Sequence, residues 1–432
     1  MTKKLLTILI LILLATAVFA PSASAGERSG ITFRGAWIAT VANIDWPSPE
    51  AVGNTEAQQA EMVWILDSLE SIGINAIIFQ VRPTADALYY SELEPVSHWL
   101  TGKQGSWESH QPSAISHQTP WDPLEWTIDE AHKRQMEVHV WLNPYRVNLA
   151  KTDTSMLAPD HIFRRHPEWF WCYNQQWYFD PGLPQTREWI CTVVQDIISR
   201  YDIQAIHMDD YFYPYPAGRK KLPDEGTFAR YPRGFDNIED WRRNNVNLAI
   251  EEISMTIREC RPDIQFGISP FGVWRNASVD STGSQTTAGI TNYDDLYADI
   301  RLWIREGWID YVLPQLYWEI GKPAADYEIL AHWWANEVRG TNCKLYIGMA
   351  PYRLEGASPK TAWGQGNEIK RQMELNRTIP EISGECFYST RPLLRNPRHV
   401  CDSIKQAYNP APTLPIREEE KEAEEPLLLP WE

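Results

Sequence analysis

The run Ile206-His207-Met208-Asp209-Asp210-Tyr211-Phe212-Tyr213-Pro214 puts two adjacent carboxyls at the end of a short apolar stretch. Read as a strand, it sends alternate side chains to opposite faces. His207, Asp209 and Tyr211 then share one face, and Met208 and Asp210 the other. A carboxylate turned toward packed helices would lie among apolar groups at high cost, so Asp209 is expected to face inward. The alternative is a structural salt bridge. Asp210 either reaches a rim from the following loop or caps a turn there. In Leu313-Pro314-Gln315-Leu316-Tyr317-Trp318-Glu319 the same parity places Gln315, Tyr317 and Glu319 on one face. Two carboxyls facing each other, Asp209 and Glu319, are what hydrolysis of a glycosidic bond needs. One protonates the leaving oxygen, and the other attacks the anomeric carbon or activates water. Glu319, beside Tyr and Trp, is expected to have a raised pKa and to act as the acid, the alternative being an exposed loop glutamate.

Further polar groups recur beside prolines: Gln80-Val81-Arg82-Pro83 with Asp86, Asn143-Pro144-Tyr145-Arg146, and Ser269-Pro270-Phe271-Gly272. The residues expected to bind substrate are Arg82, Asp86, Asn143, Tyr145, Arg146, His207, Tyr211, Gln315, Tyr317 and Trp318. The chain is rich in aromatic residues, with 21 Trp and 19 Tyr, whose flat apolar faces suit the C–H faces of sugar rings.

These groups need elements to position them. Short apolar or β-branched runs read as buried strands at Gly35–Val41, Ala76–Val81, Val138–Asn143, Ala205–Tyr211, Phe266–Phe271, Tyr311–Tyr317, Leu345–Pro351 and Glu385–Thr390. Amphipathic stretches follow them at Glu56–Ser71, Pro123–Gln135, Thr186–Tyr201, Asn237–Arg261, Tyr297–Glu306, Ala324–Val338, Asn367–Thr378 and Pro397–Tyr408. Eight strands that each precede a helix predict an α/β fold, a (β/α)8 TIM barrel. The alternative, a doubly wound open sheet, lacks a glycine-rich phosphate fingerprint after its first strand. Segments after strands are long and those before them short, so the C-terminal face should carry an extended cleft. The loop from Tyr145 holds Trp169, Phe170, Trp171, Tyr173, Trp177, Tyr178 and Phe179. About half of these are expected to line the groove, since aromatic side chains must pack or bind.

At the N-terminus, Lys3 and Lys4 precede an apolar run from Leu5 to Phe19 and the small residues Ala23-Ser24-Ala25. This reads as a signal peptide over 1–25, cleaved near Ala25. The mature chain is then exported, periplasmic or extracellular, without stable membrane insertion. Residues 26–408 form the catalytic domain, and 409–432 form a proline-punctuated acidic tail expected to be disordered. The formal net charge of −17 and the lack of a basic patch speak against nucleic acid. Six widely spaced cysteines allow one or two disulfides but suggest no zinc site. No metal, cofactor or protein partner is expected.

Phe33-Arg34-Gly35-Ala36-Trp37, Gln80-Val81-Arg82-Pro83, Trp141-Leu142-Asn143-Pro144-Tyr145-Arg146, Asp180-Pro181-Gly182, the run from His207 to Pro214, Gly267-Ile268-Ser269-Pro270-Phe271-Gly272 and Pro314-Gln315-Leu316-Tyr317-Trp318 together resemble the glycosyl hydrolase-like 10 family. The resemblance runs from Phe33 to about Tyr408. It implies a (β/α)8 barrel, glycosidase activity, a polysaccharide substrate and a catalytic centre at Asp209 and Asp210. The family includes bacterial envelope enzymes that cleave denuded peptidoglycan glycan strands, those stripped of stem peptides. Another environmental polysaccharide, or a non-catalytic glycan-binding barrel, are the competing readings. Amino sugars carry a 2-acetamido group that can itself attack the anomeric carbon, so Asp209 and Asp210 could act together without Glu319. The direct route through Glu319 is preferred at this level, because neighbours on a regular strand point to opposite faces.

Overall fold

Ala76-Ile77-Ile78-Phe79-Gln80-Val81-Arg82 is buried at every position. A strand covered on both faces reads as a continuous apolar run, not an alternation, and this pattern builds the molecule. The structure is a computed structural model that describes residues 30–105, 107, 121–149 and 153–408. The proposed leader 1–25 and tail 409–432 lie outside the described residues. In chain order the strands are β1 (Phe33–Ile38), β2 (Ala76–Arg82), β3 (Glu137–Leu142), β4 (Phe170–Tyr173), β5 (Gln176–Phe179), β6 (Ala205–Met208), β7 (Gln265–Ile268), β8 (Tyr311–Val312), β9 (Lys344–Met349) and β10 (Ile382–Phe387). Eight of them close a parallel barrel in the order β1-β10-β9-β8-β7-β6-β3-β2. Helices Thr55–Ser71, Pro123–Lys133, Pro184–Arg200, Ile238–Cys260, Ile300–Arg305, Tyr327–Val338, Glu368–Asn376 and Val400–Ala407 follow the eight barrel strands. The expected (β/α)8 architecture is therefore the observed one.

Helix starts obey local chemistry. Asn54 accepts from Ala57 N, and Asp122 from Leu124 N and Glu125 N, satisfying amides left open in the first turn. Inside the barrel Phe33, Trp37, Ile78, Trp141, Tyr311, Leu313 and Tyr346 pack among themselves, while a larger cluster fills the space between sheet and helices. The inner aromatics need glycines opposite. A Cβ at Gly267 would stand 1.8 Å from the Tyr311 ring, and one at Gly384 2.3 Å from the Tyr346 ring.

The strands stop earlier than their apolar runs suggest. β6 ends at Met208, three residues short of the expected Tyr211, and β8 is Tyr311–Val312 rather than Tyr311–Tyr317. Pro270 and Pro314 have no N–H to continue a ladder, and Asp209 takes the Tyr211 amide into a turn at 3.2 Å. The aromatic loop also differs from expectation. All of its seven aromatics but Trp169 lie in the β4–β5 hairpin, turned by Asn174 and Gln175 at positive φ of 47° and 68°. The hairpin is fastened to the segment after β3 through Val147 N to Trp177 O (3.0 Å) and Phe179 N to Tyr145 O (2.8 Å). Phe170, Trp171, Tyr173, Tyr178 and Phe179 are buried in packing. All six cysteines are free thiols, so the allowed disulfides are not formed. No helix among the described residues is long and apolar enough to cross a membrane.

Candidate active site

Asp209 and Asp210 follow β6 directly at the C-terminal mouth of the barrel, and both carboxyls are buried. Because the chain leaves the strand at Met208, strand parity no longer separates them. Both line one cavity of about 200 Å³, with Trp37, Trp141, Tyr211, Tyr215, Ser269, Gln315, Tyr317 and Tyr388. That volume equals roughly six or seven waters at ~30 Å³ each, about one sugar ring. The expectation that the two aspartates diverge is corrected on this point.

Three N–H donors converge on Asp209. Trp141 Nε1 donates to Oδ2 at 3.1 Å, and Asn143 Nδ2 and Tyr211 N donate to Oδ1 at 3.4 and 3.2 Å. Burial holds its pKa above the ordinary carboxylate value, and the Arg146 charge and these donors offset only part of that rise. Asp210 accepts from the Tyr215 hydroxyl. Its pKa is pushed up to about 7, first by burial and then by the charge of Asp209, against hydrogen bonds from Tyr215 and Gln315. Two buried like charges this close separate their titrations. One carboxyl is thus held ready to accept and its neighbour to donate a proton.

Several residues expected at the site lie there. Tyr211, Gln315 and Tyr317 line the cavity, and Gln315 Nε2 also holds Ser269 O at 2.9 Å. Asn143 holds Asp209 and accepts from Arg146 N at 2.9 Å. Arg146 donates from Nε to Pro83 O at 3.1 Å, with its guanidinium 5.3 Å from the Tyr211 ring centre. Others are engaged elsewhere. Arg82 is fully buried against Glu94 (2.5 and 2.7 Å) and donates to Asn143 O at 2.6 Å, so it fixes the loop that carries Asn143. Asp86 holds Thr84, Gln104 and His98. Tyr145 is buried beneath the hairpin, and Trp318 packs edge-on against Phe271 at 5.4 Å. His207 lies below the cavity, out of its lining.

Glu319 departs from its expected place. It is absent from the cavity lining, accepts from Trp363 Nε1 at 2.8 Å and pairs with Lys322 Nζ at 3.3 Å. Burial pulls its pKa up, but its own backbone amide, Trp363 and Lys322 outweigh that, so the pKa falls below the ordinary value. The expected rise is corrected. β8 ends seven residues before Glu319, so pleat alternation does not carry that far. None of the seven aromatics of the Tyr145 loop lines this cavity either.

Ser269, one of the polar groups noted beside prolines, lines the cavity, and so do Trp37, Trp141, Tyr215 and Tyr388, which were not singled out as site residues. All but Tyr215 lie on or just beyond barrel strands, near their C-terminal ends, the one signal that could have marked them.

A closed (β/α)8 barrel with a carboxylate pair at its C-terminal mouth, walled by aromatic rings, has the layout of the glycoside hydrolase class. Residues 32–363 match the family described as glycosyl hydrolase-like 10, and the chain belongs to that family. It is 43% identical to glycosyl hydrolase YngK of Bacillus subtilis, over 95% of this chain and 78% of that protein. It is 38% identical to glycosyl hydrolase DigH of Escherichia coli K12, over 84% of each. In fold it is similar to the PgaB glycoside hydrolase domain of Bordetella bronchiseptica, with TM-score 0.52 and 10% identity, covering 88% of this chain and 99% of that one. It is likewise similar to an endo-1,4-β-mannanase of Rhizomucor miehei, with TM-score 0.51 and 9% identity, covering 88% and 97%.

Proposed function

We propose that this chain is an exported glycoside hydrolase that cleaves glycan strands of N-acetylated amino sugars, chiefly peptidoglycan glycan stripped of its stem peptides, through Asp209 and Asp210. The observation that carries the reading is the side-by-side burial of these two carboxyls in one cavity, with Asp210 raised to about 7. The basic start and apolar run at the N-terminus support export.

In this reading the acetamido oxygen of the bound sugar attacks its own anomeric carbon. Asp209, as carboxylate, accepts the acetamido N–H and aligns that oxygen. Asp210 gives its proton to the leaving oxygen as the bond to carbon breaks. The ionised Asp210 then takes a proton from water, whose oxygen opens the cyclic intermediate at the anomeric carbon. Two inversions give net retention, and Asp210 ends protonated as it began. The neighbours that stabilise the Asp209 anion, above all Arg146, are those such a division of labour requires.

The test incubates purified protein with intact peptidoglycan, amidase-stripped glycan and plant glycans, and measures new reducing ends. Release from stripped glycan alone is the expected result. Release from a plant glycan alone moves the assignment to another polysaccharide, and no release with retained binding makes the chain a glycan-binding barrel.

A further inference from the structure

Below the cavity, hydrogen-bonded side chains run along the barrel interior from one end to the other. Glu137 opens β3 at the N-terminal end, with its side chain 18% exposed. Its Oε2 meets His139 Nε2 at 3.2 Å. His139 Nδ1 meets the Tyr311 hydroxyl at 2.9 Å, and that hydroxyl meets His207 Nδ1 at 2.9 Å. His207 Nε2 meets Ser269 Oγ at 2.9 Å and Trp37 Nε1 at 3.4 Å. Ser269 and Trp37 belong to the cavity lining. The line exists because Gly267 leaves room for the Tyr311 ring.

The two ends decide which way the protons point. An indole N–H only donates, so a bare His207 Nε2 shares its one lone pair between Trp37 and the nearer Ser269 hydroxyl. Burial keeps His207 neutral and Tyr311 un-ionised. The single ring proton of His207 then sits on Nδ1 and goes to the Tyr311 oxygen. Tyr311 donates in turn to His139 Nδ1, which leaves the His139 proton on Nε2. There it meets the Glu137 carboxylate, which only accepts. The order set at Trp37 thus ends on an acceptor.

We propose that this directional line makes Ser269 a specificity-determining residue. Its hydroxyl proton is committed to His207, so Ser269 presents only lone pairs to the cavity and selects a sugar that offers a hydroxyl proton there. His207, Tyr311, His139 and Glu137 are positioning residues. The inference deepens the hydrolase reading and rests on the cavity holding a sugar ring. A chemically inert floor would accept an isosteric sugar lacking the donor, whereas a floor of fixed polarity penalises it.

Two measurements test it, one independent of activity. In protein labelled with 15N at its 10 histidines, the His207 ring should carry its proton on Nδ1 and none on Nε2. A proton on Nε2 overturns the proposal. Glu137→Lys exchanges an acceptor for a donor at the far end and should move the His207 proton to Nε2. Glu137→Gln, which can still accept, should leave it in place. An unmoved His207 proton in folded Glu137→Lys overturns the directional line. In the second measurement, chitooligosaccharide or stripped-glycan substrates carry fluorine in place of one hydroxyl at a time. Wild type should lose about five- to tenfold in kcat/KM on one member of the panel, the worth of one hydrogen bond. Ser269→Ala should not distinguish that member, while cleaving the parent with nearly unchanged kcat and raised KM. An unchanged preference in Ser269→Ala overturns the role of Ser269. If wild type cleaves none of these glycans, the hydrolase reading fails, and the tautomer measurement still decides the line.

Discussion

Among the sites where this barrel buries acidic groups, two are opposites. At Arg82 and Glu94 both charges are fully buried, but each meets its counter-ion through paired hydrogen bonds at 2.5 and 2.7 Å. Burial pulls the guanidinium pKa down, yet Glu94 more than offsets it, so the net shift is upward. At Asp209 and Asp210 the two buried charges are alike, and they border an open cavity. The fold satisfies the first pair and leaves the second in tension. Buried charge by itself therefore marks nothing. Uncompensated charge beside space for a ligand is the functional signal.

If that contrast is right, neutralising the second site should cost activity and not stability. Asp210→Asn should lower kcat on stripped glycan by roughly 10²–10⁴-fold, the span of one general acid. Its thermal midpoint should match or exceed wild type. The sign follows from linkage. A carboxyl whose folded pKa is raised to about 7 favours the native state at low pH. That contribution is lost as pH rises through 7. The gain in Tm for Asp210→Asn should therefore be largest above pH 7 and small near pH 4. A fall in Tm at pH 8 would place Asp210 with the satisfied pair instead. Asp209→Asn should also lose orders of magnitude in kcat. More than about a tenth of wild-type kcat remaining would remove Asp209 from the mechanism. Its residual rate should fall off at lower pH than wild type, because Asp210 no longer faces a like charge.

The first site should respond the other way. Arg82→Leu leaves Glu94 buried without its partner, an expected loss of about 3–5 kcal/mol, read by urea unfolding. The double variant Arg82→Met with Glu94→Leu should recover most of it. In folded protein, kcat should fall only modestly, through the Asn143 carbonyl that Arg82 holds. A loss confined to KM with full stability would restore Arg82 to the substrate-binding role expected from its motif.

Arg82 also shows where sequence stops being sufficient. The eight strands and eight helices were legible because each carries its own period and boundary signals. Asp209 and Asp210 were legible because they end an apolar run. Arg82 looked like a ligand contact because its partner, twelve residues on in a long loop, has no local signature. Of the cavity walls, Tyr211, Gln315 and Tyr317 were legible from strand parity, and the other rings only as aromatic abundance. Trp37 and Trp141 lie on two barrel strands and Tyr388 just beyond a third, and closure of the barrel alone brings them together. Parity failed for Asp210 and Glu319 for one shared reason, the early end of β6 and β8.

Glu319 gives the smallest expected effect and the sharpest test of the comparison. It belongs to neither class: partly exposed, paired with Lys322 and hydrogen-bonded by Trp363. A partly exposed ion pair contributes about 0–1 kcal/mol, so Glu319→Gln should shift Tm little, and the amide can still accept from Trp363. Its lowered pKa leaves it ionised at neutral pH, the wrong state for a general acid. Glu319→Gln should therefore cleave natural glycan within about twofold of wild type, since no acid–base contribution of 10²-fold or more is removed. The opposite result has its own signature. If Glu319 were the acid, the variant would lose natural glycan and keep substrates with an activated leaving group, which need no proton. That pattern would require the segment after β8 to swing Glu319 from Lys322 into the cavity when substrate binds, and it would return the mechanism to two carboxyls on separate strands.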